Sequence, residues 1–186
     1  MRTALSSLKK YPWAVLFLCL EASSPGYALP LQFSANLVDA TCALSLDKSI
    51  LSLGTVAVSQ LRPGALLAAK PFVLSVDSCT NVPAAGLMPK IKISGDGIDK
   101  SKWLFRNSTS DVSTAGIGVA VYRSDTLPAY SASEIRNGQV MSLGALGSIP
   151  TGQQLHFYAG LSCGNVCTSL QVGKVAATVL FEFVYE

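Results

Sequence analysis

The sequence predicts an all-β fold, either a sandwich or a barrel. Glycine and proline recur along the chain, 15 and 9 times in 186 residues, and mark frequent turns. Between these turns lie short runs that alternate apolar and polar residues or are rich in β-branched and aromatic residues. No segment after residue 28 has the periodicity of a helix. Several short strands at this spacing indicate a sandwich or a barrel, and no linker or repeat divides them into two domains.

The composition excludes several classes of protein. Apolar residues make up 49% of the chain and charged residues 13%, a balance that would suit a membrane protein. The candidate apolar run, Trp13–Leu20, is much shorter than the about 20 residues that a transmembrane helix needs. The 14 basic and 11 acidic residues do not form the dense basic surface of a nucleic-acid binder. A single histidine leaves little equipment for acid–base catalysis, so we predict neither an enzyme nor a cofactor.

The amino-terminal residues 1–28 have the succession of regions that is typical of a secretory signal peptide. Basic residues precede the apolar run Trp13–Leu20, and Gly26 and Ala28 supply the small residues that a signal peptidase reads. We predict cleavage after Ala28, with Ala22 as the weaker alternative. The remaining chain is therefore expected outside the cytoplasm.

An apolar strand is predicted directly behind the cleavage site, in an extension that covers residues 29–41. Its apolar residues recur at every second position and so share one face of a strand: Leu29, Leu31, Phe33, Ala35 and Leu37. An apolar strand at a free end invites pairing with other edges, so it is covered either within its own domain or by another chain.

The body of the chain, residues 42–186, is predicted to contain further strands over these segments: Phe72–Val76, Lys90–Ser94, Ile117–Tyr122, Leu155–Tyr158 and Val175–Tyr185. The last of them has one apolar face, while its other face carries charged and polar residues with apolar interruptions. Between the strands, Asn107–Thr114 has the composition of a surface loop.

Four cysteines remain after cleavage: Cys42, Cys79, Cys163 and Cys167. An even number in an exported protein predicts disulfides, and four cysteines allow three pairings. The simplest pairing joins Cys42 to Cys79 and Cys163 to Cys167. A zinc site is disfavoured because three residues separate the close pair and the chain has only one histidine, so we predict no metal site.

The two ends of the exported chain resemble type 1 and P pilus subunits of the chaperone-usher class. The apolar alternation of Leu31–Cys42 runs into Val-Asp-Ala-Thr-Cys, as the family's sequences run into Val-x-Ala-x-Cys. Phe72–Cys79 is similar to the second half of the family's disulfide, and Thr114–Val121 to its strand after the central loop. Tyr185 is the penultimate residue and Gly173 is the fourteenth from the end, a pairing typical of subunits that the periplasmic chaperone recognises.

This resemblance implies an incomplete immunoglobulin-like sandwich that lacks its final strand and is completed by a donor strand from another chain. The donor residues would be those that alternate in the extension, Leu29 to Leu37. The groove that receives the chaperone or the donor would be formed by Gly173, Val179, Phe181, Phe183 and Tyr185. The implied partners are a periplasmic chaperone, an outer-membrane usher and neighbouring pilus subunits, and the implied location is a fimbrium on a Gram-negative cell surface.

Two alternatives stay open at this point. The short extension favours a minor or adaptor subunit over the main shaft subunit. The extension also departs from the family pattern at Ala35, where the family commonly has glycine. A self-contained, monomeric binding domain of the periplasm or cell surface would show the same strand patterns. A catalytic interpretation of Gly160-Leu-Ser162-Cys-Gly164 as a nucleophile elbow is disfavoured, because no helix pattern follows Ser162 and His156 precedes it.

Overall fold

The computed structural model describes residues 40–81, 86–168 and 170–186. These residues form nine strands in two antiparallel sheets and two single turns of 3-10 helix, at Val58–Gln60 and Val112–Thr114. Within the described part of the chain, no helix is long and apolar enough to cross a membrane. The prediction of an all-β sandwich is confirmed.

The larger sheet has six strands, in the spatial order β1-β2-β8-β6-β5-β4. Their bounds are β1 Thr41–Leu46, β2 Leu67–Thr80, β4 Gly97–Asp99, β5 Trp103–Phe105, β6 Gly118–Arg123 and β8 Gln153–Ser162. The smaller sheet has the order β7-β3-β9, with bounds β3 Pro89–Ser94, β7 Gln139–Ser142 and β9 Leu180–Tyr185.

The core lies between the two sheets and follows from the alternation of each strand. On β3, Ile91 and Ile93 are fully buried, whereas the intervening Lys92 is exposed. Within the larger sheet, the rings of the cross-strand pair Phe72 on β2 and Phe157 on β8 stack with centroids 5.3 Å apart. Period-two burial of this kind is what fixes the register of strands that have one buried face.

Two disulfides connect neighbouring parts of the chain, Cys42–Cys79 and Cys163–Cys167. The first joins β1 to β2 beside the pair formed by Thr41 and Thr80. The second closes the turn that follows β8, where Gly164 has a φ of +70°. The structure therefore contains the simplest of the three possible pairings.

The last strand begins later than the alternation predicts. It was expected from Val175, but β9 begins at Leu180. The reason is that β3, its partner, ends at Ser94, which pairs with Leu180. Residues 173–179 continue past the end of β3, and their backbone is held by a loop instead of a strand.

Candidate functional site

A cavity of about 980 Å³ lies beside β9, along the inner face of the larger sheet. Its floor is apolar and consists of residues at alternate positions of β2, β6 and β8, together with the residue that precedes β6: Phe72, Ile117, Val119, Val121, Ala159 and Leu161. The cross-strand pairs of β6 and β8 place Val119 opposite Leu161 and Val121 opposite Ala159. Such a surface ordinarily packs beneath another strand of a sandwich.

One wall of the cavity is the segment that follows β1, residues 48–58. Its half-buried apolar side chains, among them Leu51, Leu53, Val56 and Val58, line the cavity. In the part of the chain that the structure describes, residues 49–56 form no backbone–backbone hydrogen bond. Lys70 Nζ donates to the Ser52 carbonyl at 2.7 Å. In the described ranges, this wall is an irregular segment, and the backbone of its residues 49–56 has no strand partner.

The opposite wall is residues 171–179 and Phe181, which lead into and begin β9. Glu186 exchanges two backbone hydrogen bonds with Met88, at 2.8 and 3.1 Å. Because hydrogen-bonded pairs alternate in an antiparallel ladder, the even-numbered residues of β9 face β3. The backbone groups of the odd-numbered residues therefore face away from β3, and of these residues Phe181 lines the cavity.

The same alternation continues through the segment before β9. The backbone N–H groups of Lys174, Ala176 and Thr178 all donate to side chains of the loop that follows β5. Among the described residues, the backbone groups of Val175, Ala177 and Val179 form no hydrogen bond. The wall thus resembles the edge of a β-sheet. Its even-numbered backbone groups are hydrogen-bonded to the loop after β5, and its odd-numbered ones are unpaired among the described residues.

The structure brings some of the predicted groove residues to this cavity and places others elsewhere. Gly173, Val179 and Phe181 line it, and the Phe181 ring lies 6.2 Å from Phe72 between centroids. Phe183 and Tyr185 are not among its lining residues. Instead, their rings pack edge to face at 5.0 Å, and burial raises the pKa of Tyr185. The predicted donor residues, Leu29 to Leu37, lie outside the described residues.

Sequence reasoning missed the floor and the first wall. Val119 and Val121 were expected in a strand but not assigned to a site, because period-two patterns do not tell a covered inner face from an open one. Leu161 lies beyond the predicted strand Leu155–Tyr158, in the part of β8 that the sequence did not predict. The apolar alternation of Leu51 and Leu53, with Val56 and Val58 after it, was a signal that could have identified the wall.

Charged and nucleophilic side chains contribute little to the site. Lys48 and Lys174 are the charged lining residues, and the exposed Asp47 is paired with Lys48 at 2.6 Å, a contact that lowers the pKa of Asp47. Ser162 is fully buried at the end of β8, and its Oγ accepts a hydrogen bond from Gly164 N. No group of three or more metal-ligating side chains occurs in the described ranges. The chemistry available to the cavity is apolar packing and backbone pairing.

Comparisons with known proteins identify the family. Among curated proteins none matches this chain. It is similar to the P pilus rod subunit PapA, with 17% identity, a TM-score of 0.49 and coverage of 78% of this chain and 99% of that one. It is also similar to a subunit in the structure of a chaperone-usher pilus, with 16% identity, a TM-score of 0.49 and coverage of 88% and 99%. The family model described as fimbrial protein matches residues 31–186. The chain therefore belongs to the fimbrial protein family, the structural subunits of pili.

Proposed function

We propose that this subunit enters its pilus by donor-strand exchange at the cavity beside β9. The observation that carries the proposal is the open backbone edge of Val175, Ala177 and Val179 next to an apolar floor. An incoming strand would pair with that edge and with the wall at residues 48–58, and would bury its apolar side chains on the floor. This is recognition by β-augmentation, in which the backbone provides affinity and the pockets provide specificity.

The proposed occupant is the N-terminal strand of a neighbouring fimbrial subunit, for which Leu29–Leu37 of this chain serves as the example. Its apolar residues alternate with Pro30, Gln32, Ser34 and Asn36, so one face matches the floor and the other faces solvent. At about 3.3 Å per residue, the segment is as long as the edge from Gly173 to Phe181. Each leucine or phenylalanine side chain of the segment that is buried on the floor would contribute about 1.5–3 kcal/mol.

The route to the pilus follows from the same proposal. Residues 1–28 would direct export and be removed, and both disulfides would form outside the reducing cytoplasm. A periplasmic chaperone would occupy the groove until an outer-membrane usher passes the subunit to its neighbour at the cell surface. The short extension favours a minor or adaptor position in the fibre. The subunit's role is structural and involves no catalysis.

A fusion experiment tests the proposal. A copy of Leu29–Asp39 is placed behind Glu186 through a short flexible linker, the native copy is deleted, and the melting temperature is compared with that of the deletion alone. We expect the fusion to melt at a clearly higher temperature, because the donor covers the floor and pairs with the open edge. A fusion in which Leu31 and Phe33 of the appended copy are both changed to Ser is the matched control and should lose that gain. Equal melting temperatures for the fusion and the deletion would instead favour a self-contained domain.

A further inference from the structure

The loop Asn107–Thr114, which we name the clasp, lies along the outer side of the segment 172–178. Asn107 N and Asp111 N donate to the carbonyls of Ala176 and Lys174, at 2.8 and 2.9 Å. These two backbone bonds alone would hold the segment at two points. The clasp adds side-chain hydrogen bonds to the same side of the segment.

Three clasp side chains accept hydrogen bonds from backbone N–H groups at every second residue of the segment. Thr178 N donates to Asn107 Oδ1 at 2.7 Å, Ala176 N to Ser110 Oγ at 3.0 Å and Lys174 N to Asp111 Oδ2 at 2.5 Å. Clasp side chains also donate hydrogen bonds to the segment. Ser110 Oγ donates to the Ala176 carbonyl, Asn107 Nδ2 to Thr178 Oγ1 and Ser113 Oγ to the Val172 carbonyl. The clasp thus offers donors and acceptors at the two-residue spacing of a neighbouring strand.

The clasp is itself held in a fixed position. The guanidinium of Arg106 donates to the carbonyls of Asp111 and Ile117, at 2.7 and 2.9 Å, and to Thr114 Oγ1 at 3.1 Å. Ser110 and Thr114 are buried, at 7% and 1% exposure. A loop that is pinned from inside in this way can position the segment that it binds.

Gly173 allows the segment to approach the clasp closely. A Cβ at this position would lie 2.6 Å from Ser113 Oγ and 2.8 Å from both Asp111 Oδ2 and Thr114 Cγ2. Close backbone approach is a common reason for glycine in an extended segment. This contact gives Gly173 a role in the approach to the clasp, besides its place in the cavity wall.

We propose that the clasp acts as a surrogate strand and that Asn107, Ser110 and Asp111 are positioning residues for donor-strand binding. By holding the even-numbered backbone groups on the outer side, they leave those of Val175, Ala177 and Val179 facing the groove. A shift of one residue would exchange the two sets and turn the apolar side chains away from the floor. The inference rests on the proposed function, since it assigns residues that set the register of the acceptor edge.

Amide hydrogen exchange in the donor-fused protein tests this role. Ser110→Ala removes the acceptor for Ala176 N–H and should speed exchange at Ala176 whatever the clasp does for the donor. If the clasp positions the acceptor edge, the amides of Val175 and Ala177, which face the groove, should also exchange about tenfold faster. This is the change expected when the protection that one hydrogen bond provides is lost. Ser108→Ala, in the exposed turn of the same loop, is the matched control and should change none of these rates.

A second variant makes the test specific to position. Asn107 Oδ1 accepts the hydrogen bond from Thr178 N. Asn107→Ala should therefore speed amide exchange at Ala177 and Val179 and leave that of Val175 nearly unchanged. If Ser110→Ala does not fold, Asn107→Ala serves as the test in its place. The amides of Phe157 and Ala159 on β8 report whether each variant is folded. Faster exchange at Ala176 alone in Ser110→Ala would overturn the positioning role. Absence of protection at Val175, Ala177 and Val179 in the unmutated fusion would instead overturn donor-strand pairing itself.

Discussion

Glu134 and Lys102 form an ion pair that is largely excluded from solvent, with side chains 9% and 12% exposed and 2.9 Å between Oε2 and Nζ. Arg136 Nε binds the other carboxylate oxygen, also at 2.9 Å. Burial would raise the pKa of Glu134, but hydrogen bonds from Lys102, from backbone N–H groups and from Arg136 outweigh it and lower the pKa from 4.5 to about 2. The ionised carboxylate is therefore favoured by the folded state.

The stability that this carboxylate contributes should depend on pH in a defined window. Because its pKa is lower in the folded chain than in the unfolded chain, the contribution is present above pH 4.5 and is lost as the pH falls through about 2. We expect Glu134→Gln to lower the melting temperature of the donor-fused protein at pH 7, and the gap to close between these two values. Thermal melts followed by circular dichroism measure it, with Glu182→Gln on the exposed side of β9 as control. A gap that is independent of pH would contradict the assignment.

Gly95 is a residue whose small size the packing requires. A Cβ at this position would overlap the carbonyl oxygen of Thr178 and lie 3.0 Å from the Phe105 ring. Gly116 provides the contrast, since its nearest neighbours would be 3.6 Å away or more.

Gly95→Ala should therefore destabilise the donor-fused protein by about 1–3 kcal/mol, the usual cost of overpacking. Gly116→Ala should change its stability by less than about 0.5 kcal/mol. Urea denaturation followed by tryptophan fluorescence measures both variants. Equal losses for the two would show that the close approach of Gly95 to Thr178 is not what constrains this position.

Sequence patterns predict the longer strands of the fold and not the short ones. Burial alternates regularly over residues 72–76 of β2, over β3 and over residues 155–159 of β8, so these parts were predictable from residues such as Phe72, Ile91 and Phe157. The ends of β2 and β8 lack this alternation and were not predicted. The short strands β4, β5 and β7 have three or four residues each and are too short to show a period. Their pairing depends on neighbours that only the folded chain brings together.

The start of β9 and the clasp were not predictable for a different reason. The pattern from Val175 onward fits an extended segment, but a side-chain pattern does not say which groups pair with its backbone. The clasp sequence Asn-Ser-Thr-Ser-Asp is typical of surface loops because these side chains bind backbone groups locally. In the folded chain, Asn107, Ser110 and Asp111 bind a segment more than sixty residues away instead.

Within β9, Phe181 anchors the strand to the floor of the groove. Its ring lies 5.5 Å from Phe157 and 6.2 Å from Phe72, between centroids. Phe181→Ala should destabilise the donor-fused protein by about 2–3 kcal/mol, less than for a fully buried ring because the side chain is half-buried. Leu180→Ala, whose side chain is 60% exposed on the same strand, should cost much less. Urea denaturation compares them, and similar losses would contradict the anchoring role.

At the scale of the whole molecule, the composition and the groove have a common explanation. A chain with 49% apolar and 13% charged residues has fewer charged residues than a typical soluble domain, and therefore an excess of apolar over charged residues. Part of that excess forms the floor beside β9, and part lies in the alternating residues from Leu29 to Leu37. The central claim is that these two surfaces are complementary and meet between chains.

The mass of the mature chain in solution tests this claim most directly. Light scattering is measured over a range of protein concentrations for the chain that begins at Leu29, for a variant that lacks Leu29–Asp39, and for the mature chain with excess Leu29–Asp39 peptide. We predict discrete multimers for the mature chain, none for the truncated variant, and conversion to single subunits by the peptide, which competes for the groove. A mature chain that stays a stable monomer at every concentration, with or without its first strand, would contradict the account.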